Sequence, residues 1–211
     1  MSETNASMQN ETVTSFASLL ASSAPVPGGG GASALTGALG AALGEMVANL
    51  TFGKRKYAAA EPEIREACAR LTALREEMLE AIDGDAKAFA PLAAAYGIKD
   101  PDEKAAAIRA ALPAAIEAPL TAMEKMAEAL APLSVIAEKG SHIAVSDAAA
   151  AAALLGSAIR AMSLNVFINT AACNDPDAVR AWHARADRAF EALFGFGGIY
   201  ESVYGSLRRD P

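Results

Sequence analysis

Gly28-Gly29-Gly30-Gly31-Ala32-Ser33-Ala34-Leu35-Thr36-Gly37-Ala38-Leu39-Gly40-Ala41-Ala42-Leu43-Gly44 is the stretch that decides the fold. Four consecutive glycines, preceded by Pro25-Val26-Pro27, feed a long small-residue helix expected to span about Ala32 to Tyr57 and to end in Gly53-Lys54-Arg55-Lys56-Tyr57. Gly37, Gly40 and Gly44 recur at spacings of three and four, which lays a smooth groove along one helical face where a second helix can approach closely. Their reading is packing rather than chemistry. The glycine block ahead of them permits close backbone approach to a ligand, and the helix start offers free N–H groups and a positive dipole end to an anionic or polar group. A hinge before a packed helix explains the same glycines.

Outward from this stretch the pattern stays helical. No segment shows the period-two alternation of strands, and apolar stripes at helical spacing recur from end to end, so the expected fold is all-α, a single-domain bundle of long helices. With 211 residues, 53% of them hydrophobic, the chain can bury one substantial core. The polar residues 1–10 are expected to form a disordered tail with no signal-peptide character. The helical domain is expected over residues 11–207, with 208–211 frayed. A first helix is expected over Glu11–Ala21, with Phe16, Leu19 and Leu20 inward. A third is expected from about Pro62 to Ala95, carrying Ile64, Cys68, Leu71, Met78, Ile82 and Phe89 on its buried stripe. From Asp102 a further tract should be broken or kinked by Pro113, Pro119 and Pro132. Ser146-Asp147 should cap a helix running to about Cys173, and Asp175-Pro176 should start the last one.

Composition narrows the function. A net charge of −7 excludes a broad basic face for sequence-independent nucleic-acid binding. Between Gly31 and Phe52 only Glu45 is charged, but the residues are alanine and glycine rather than bulky lipid-facing types, which predicts a buried helix and no membrane partner. Cytoplasmic localisation follows as an expectation. Cys68 and Cys173 fall in apolar helical patterns, and His142 and His183 lack metal-ligand spacing, so no metal is expected. Trp182, Phe190, Phe194, Phe196, Tyr200 and Tyr204 form a terminal aromatic region suited to core or to a dimer interface.

A few polar residues break the pattern. Asp85 falls on the apolar stripe with Met78, Ile82 and Phe89, where a carboxylate needs a partner, a ligand or a proton. Asp147 reads either as a first-turn acid favoured by the dipole or as a chemical group. Asn165 and Asn169, at i and i+4 among apolar neighbours, suit either a heterocyclic ligand or a helix interface. Lys54, Arg55 and Lys56 complement a helix C-terminus or bind an anion.

Taken together, Pro25 to Leu35, Val47 to Tyr57, Asp85 to Phe89, Ser146-Asp147-Ala148 and Asn165-Val166-Phe167-Ile168-Asn169 resemble the cyclodeaminase/cyclohydrolase family, which includes the C-terminal domain of formiminotransferase-cyclodeaminase and stand-alone methenyltetrahydrofolate cyclohydrolases. The motifs occur in the family's order over most of the chain. The loop Ser141–Val145 departs from it, where relatives often carry a Gly/Asn-rich approach. The resemblance implies an all-helical enzyme that assembles as a homodimer or larger oligomer and acts on a tetrahydrofolate derivative, without a tightly bound cofactor and without a preceding transferase domain. The leading expectation is formimidoyltetrahydrofolate cyclodeaminase, with methenyltetrahydrofolate cyclohydrolase next and a non-catalytic folate-binding or interaction module as a different class. Asp147 or Asp85 is the implied acid/base, and the other its electrostatic partner. Gly28, Gly29, Gly30, Gly31, Ser33, Lys54, Lys56, Tyr57, Ser146, Asn165 and Asn169 are the implied substrate contacts, with the lysines on glutamate carboxylates and the asparagines on the pterin. Because Asp147 and Asn165 lie about 27 Å apart along one helix, and Gly31 and Lys54 about 35 Å apart along another, either an elongated substrate spans several regions or antiparallel helices and a two-fold partner bring opposite ends together; a site built from more than one helix and from both subunits is expected.

Overall fold

A computed structural model describes residues 7–196 and 198–208. Eight α-helices follow one another: α1 (Val13–Leu20), α2 (Gly29–Asn49), α3 (Glu61–Tyr96), α4 (Pro101–Glu128), α5 (Leu130–Lys139), α6 (Val145–Thr170), α7 (Pro176–Phe196) and α8 (Gly198–Leu207), with short 3-10 turns at Met8–Asn10, Arg55–Tyr57 and His142–Ala144. Among the described residues there is no strand.

The glycine spacing does what the sequence implies. A methyl group on Gly40 would stand 3.0 Å from Leu155 Cγ, 3.1 Å from the Ala151 carbonyl oxygen and 3.2 Å from the Leu155 nitrogen, so α2 and α6 meet backbone to backbone. Gly37 faces Met78 and Met126, and Gly44 faces Leu71 and Leu133, which seats α3, α4 and α5 on the other sides of α2. The order of these contacts makes α2 antiparallel to both α3 and α6. Glu45, the single charge of α2, is spent on α3: its carboxylate accepts from Arg75 Nε at 2.6 Å and from Thr72 Oγ1 at 2.8 Å. The core behind this frame is built from Ile64, Leu71, Leu74, Met78, Leu120, Met123, Leu155, Ile159 and Met162. α2 and the helical segment His142–Thr170 are long and apolar enough to cross a membrane, yet 56% and 50% of their apolar windows are buried inside the bundle. At the α4–α7 seam, Arg185 bridges Glu117 at 2.7 Å and Glu124 at 2.8 Å, and the Trp182 indole donates to Glu117.

Several expected boundaries move. α2 starts three residues early, inside the glycine block, and stops at Asn49, so Lys54–Lys56 lie beyond the helix and cannot serve its C-terminal dipole. Gly53, at φ +70°, makes the turn that a side chain would resist. α4 runs unbroken through Pro113 and Pro119. Pro119 has no N–H to give the Ala115 carbonyl, and Asn169 Nδ2 supplies the missing donor at 2.7 Å, so the gap is filled from α6. The break falls instead at Ala129, before α5, where Pro132 sits in the first turn and is tolerated. Ser146 and Asp147 lie within the first turn of α6, whose N-cap is Ala144, and neither caps it. Asp175 does cap α7, accepting from Asp177 and Ala178 N–H groups, but α8 follows as the last helix. Of α1 only Phe16 is buried, Leu19 and Leu20 being exposed. Of the expected N-terminal tail, residues 1–6 lie outside the described residues, whereas Met8–Asn10 is a 3-10 turn anchored by Asp83, which accepts from the Met8 N–H at 2.7 Å and from the Ser7 hydroxyl. Of the expected C-terminal tail, residues 209–211 lie outside the described residues.

The glycines of the bundle should separate by environment. Gly40→Val, facing immovable backbone, is expected to cost about 1–3 kcal/mol by overpacking and to lower Tm by about 2–4 °C for each kcal/mol. Gly84→Ala, inside α3 with open space around it, is expected to gain about 0.5–1 kcal/mol from helix propensity. Thermal unfolding of both variants checks the two signs.

Candidate functional site

The N-terminus of α2 carries one cluster. Gly28 occupies the N-cap position and offers no side chain, so the first amides of α2 have no capping side chain of their own. Ser33 closes this turn from inside: its hydroxyl donates to the Gly29 carbonyl at 2.6 Å and the residue is buried, which withdraws it from the ligand contact expected of it. Asp85 of α3 comes up against the same turn. A methyl on Gly30 would overlap the Asp85 carboxylate, which explains why a residue without Cβ stands there. Burial pushes the Asp85 carboxyl above its ordinary range, with the Gly31 amide pulling the other way. Among the described residues no side chain pairs with it. From α6, Asn165 reaches the opposite side of the turn, its amide 3.5 Å from the position of a Gly29 Cβ. Its Nδ2 donates to the Ala161 carbonyl at 3.2 Å, leaving Oδ1 free to accept. Asp85 also lines a groove of about 470 Å³ between α3 and α4, with Glu77, Glu80, Gly84, Glu117 and Lys125.

A second cluster sits at the other end of α2. Buried Thr51 ties the chain together there: its hydroxyl donates to the Val47 carbonyl at 2.8 Å and accepts the Ser141 N–H at 2.9 Å. The turn holding Lys54, Arg55, Lys56 and Tyr57 therefore lies beside Ser141 and His142. Tyr57 Oη accepts the His142 main-chain N–H at 3.3 Å, and Lys56 Nζ lies 5.3 Å from the Tyr57 ring centre. That N–H, helped by the Ser141 hydroxyl and the Lys56 charge, holds the Tyr57 phenol below its ordinary range against some desolvation. Lys54, Arg55 and Lys56 are exposed, and among the described residues none makes an ion pair. Ser146, exposed, and Asp147, half-buried, stand on the first turn of α6 just past His142–Ala144.

The expected residues are thus gathered into two groups. Gly28–Gly31, Asp85 and Asn165 are brought together; Lys54, Lys56, Tyr57, Ser146 and Asp147 flank the opposite end; Asn169 has given its Nδ2 to α4. Twenty helical rises of 1.5 Å place the two ends of α2 about 30 Å apart. Sequence reading missed Ser141 and Thr51, which sit in or beside loops with no periodicity to mark them, and Asp83, whose signal was only its place next to Ile82 of the stripe.

The strained electrostatics of Asp85 have a pH signature. Below the ordinary carboxylate value of 3.8 the group is neutral folded and unfolded, and it costs nothing. As pH rises, the unfolded chain ionises first, so stability is lost until the folded-state value is passed. Asp85→Asn is therefore expected to raise Tm at pH 7, with the gain vanishing on acidification. Melting curves of both proteins across pH 3–8 check it.

Comparisons with known proteins agree with this architecture. The family model described as formiminotransferase-cyclodeaminase matches residues 12–188. A methenyltetrahydrofolate cyclohydrolase of Methylorubrum extorquens is 38% identical over 205 residues, covering 94% of this chain and 97% of that protein. A formimidoyltransferase-cyclodeaminase of Dictyostelium discoideum is 35% identical over 170 residues, 81% of this chain but 32% of that longer protein. The crystal structure of formiminotetrahydrofolate cyclodeaminase from Thermotoga maritima superposes with a TM-score of 0.84 at 24% identity, covering 94% of this chain and 98% of that one, which shows the shared fold. The chain belongs to the formiminotransferase-cyclodeaminase family, the folate one-carbon cyclodeaminases and cyclohydrolases.

Proposed function

We propose that this chain hydrolyses methenyltetrahydrofolate to 10-formyltetrahydrofolate, with Asp85 as the base. The observation that carries the chemistry is the half-buried Asp85 carboxylate, without a side-chain partner among the described residues, against the open first turn of α2. A carboxyl raised toward neutrality is a stronger base than an ordinary one and, once ionised, favours a cationic carbon beside it. Water adds to the methenyl carbon as Asp85 takes one of its protons. The bond from that carbon to the pterin nitrogen then breaks, the nitrogen gaining a proton, and the hydroxyl proton leaves to solvent as the formyl group forms.

The order of the two activities is reversed from the sequence expectation because the cyclohydrolase relative matches end to end. The formimidoyltransferase-cyclodeaminase match supports cyclodeamination as the second reading. There the anilino nitrogen would close the ring and ammonia would leave after gaining a proton, with the same carboxylate in the same position.

The two residue clusters meet in this reading through a second copy. α2 turns Leu39, 53% exposed, and Met46 outward, and α6 exposes Leu164 and Ile168 at 69% and 71%. A two-fold axis across the middle of α2 sets the glycine end of one copy beside the Lys54–Tyr57 end of the other. Asn165 then faces the pterin, Asp147 the cationic carbon, and Lys54 and Lys56 the glutamate carboxylates at the rim.

Spectroscopic assay of both reactions tests the proposal: the chain is expected to accelerate the loss of methenyltetrahydrofolate absorbance, and Asp85→Asn to slow it by at least about 100-fold. Formation of methenyltetrahydrofolate and ammonia from the formimidoyl substrate, without hydrolysis, makes the second reading correct; inactivity in both assays overturns the function. Mixed dimers of Asp85→Asn with Asp147→Asn are expected to recover about a quarter of wild-type activity, since half the dimers would hold one intact shared site. No recovery in dimers shown to have exchanged removes the shared site.

A further inference from the structure

Ser141 is 2% exposed, and its hydroxyl oxygen is the one buried side-chain polar atom among the described residues that lacks a hydrogen-bond partner. Buried hydroxyls are rarely left unpaired, because the lost hydration is not recovered. This one cannot be explained by the loop's own architecture. Ser141 holds the loop through its backbone, by the N–H given to Thr51, and alanine would do that as well. The hydroxyl lies instead on the side of the loop that meets Tyr57, making no hydrogen bond to the neutral phenol, whose oxygen already accepts the N–H of the next residue, His142. The charged and titratable groups facing that phenol are Lys56 on its own turn and His142 on the facing one.

The His142 N–H can only donate to Tyr57 Oη and Lys56 is a cation, while the Ser141 hydroxyl, free of any other partner, can donate to a phenolate as it forms. An oxygen surrounded in this way gives up its proton more readily, because the phenolate left behind is hydrogen-bonded on arrival. Tyr57 is half-buried, whereas Lys54 and Lys56 are exposed, so the phenol is the innermost side chain of its turn and the lysines form the rim.

We propose that Tyr57 is the proton donor of the site and that Ser141 is the residue that positions its phenol. Resting on the reading above, the step is complete in atoms: as the carbon–nitrogen bond breaks, the pterin nitrogen takes the Tyr57 proton, Ser141 and the His142 amide hold the phenolate, and solvent returns a proton to it. Asp85 of one copy then serves as base and Tyr57 of the other as acid.

The test has two readouts. Ultraviolet titration of wild type minus Tyr57→Phe isolates one of the four tyrosines. The isolated phenol is expected to ionise at lower pH than the other three, and Ser141→Ala and Lys56→Met are each expected to move it back up. Because Ser141→Ala deletes an atom with no partner, its Tm should stay near wild type; Ser141→Cys, close to serine in size but a weak donor, gives the same readout if it does not. In turnover, Tyr57→Phe is expected to lower kcat about 100-fold with little change in KM. Ser141→Ala should shift the alkaline fall of kcat to higher pH. A Tyr57 that titrates with the others, a titration that removal of the Ser141 hydroxyl leaves unmoved, or a Tyr57→Phe enzyme that keeps its kcat overturns the proposal. Wild type inactive on both folates overturns the function above, while the titration alone still decides whether Ser141 acidifies Tyr57.

Discussion

The backbone contact between α2 and α6 is the constraint on which everything else depends. Gly40 lies against the Ala151 carbonyl and Leu155, and at that distance no side chain can stand between the helices, so their relative translation is fixed by main-chain atoms rather than by adjustable rotamers. The two ends of the pair inherit this rigidity. At one end it delivers Asn165 to the Gly29 turn; at the other, through Thr51, it delivers Ser141 and His142 to Tyr57. Catalytic groups need placement to within a fraction of an ångström, which loops alone supply poorly.

Asp85 shows what that placement costs. A helix start would satisfy a nearby carboxylate with several amides, but here burial outweighs the Gly31 amide and the group is held in the form folding disfavours. The opposing preference of stability and reactivity at one atom is common where a side chain must change protonation during turnover. Asp83, two residues earlier, is the contrast: it is fully used by the Ser7 hydroxyl and Met8 N–H, and so is anchored rather than poised.

The sequence made the frame legible wherever a residue type had one physical use. Glycines spaced three and four apart have little purpose but close packing, and a carboxylate on an apolar stripe has little but a partner or a reaction; α2 and Asp85 were readable for that reason. Boundaries were not. The start of α2 is set by the Ser33 hydroxyl reaching back to Gly29, and α4 survives Pro119 only because Asn169 arrives from a helix fifty-four residues away. The first is a local side-chain bond that the apolar period does not reveal, and the second is a tertiary bond that overrides a correct local rule. Asn169 also shows why amides were ambiguous: the same Nδ2 that suits a heterocycle suits an orphaned carbonyl. Ser141 was invisible for a related reason, since a serine in a loop acquires meaning only from burial, and the departure of Ser141–Val145 from the family pattern gave no hint of what the residue faces.

Charge completes the logic of separating the two ends. The chain is acidic overall, and the groove leading to Asp85 is lined by Glu77, Glu80 and Glu117, two of them tempered by Lys125 and Arg185. The far end presents Lys54, Arg55 and Lys56 unpaired among the described residues. Fields of opposite sign at the two ends act as a torque on any dipolar ligand, aligning it before contact. A cationic methenyl ring carrying a carboxylate tail is such a ligand. In the two-fold pair proposed above, the acidic end of one copy would meet the basic end of the other, so the field that orients the ligand would also bring the copies into register, and the electrostatics of binding and of assembly would become one arrangement.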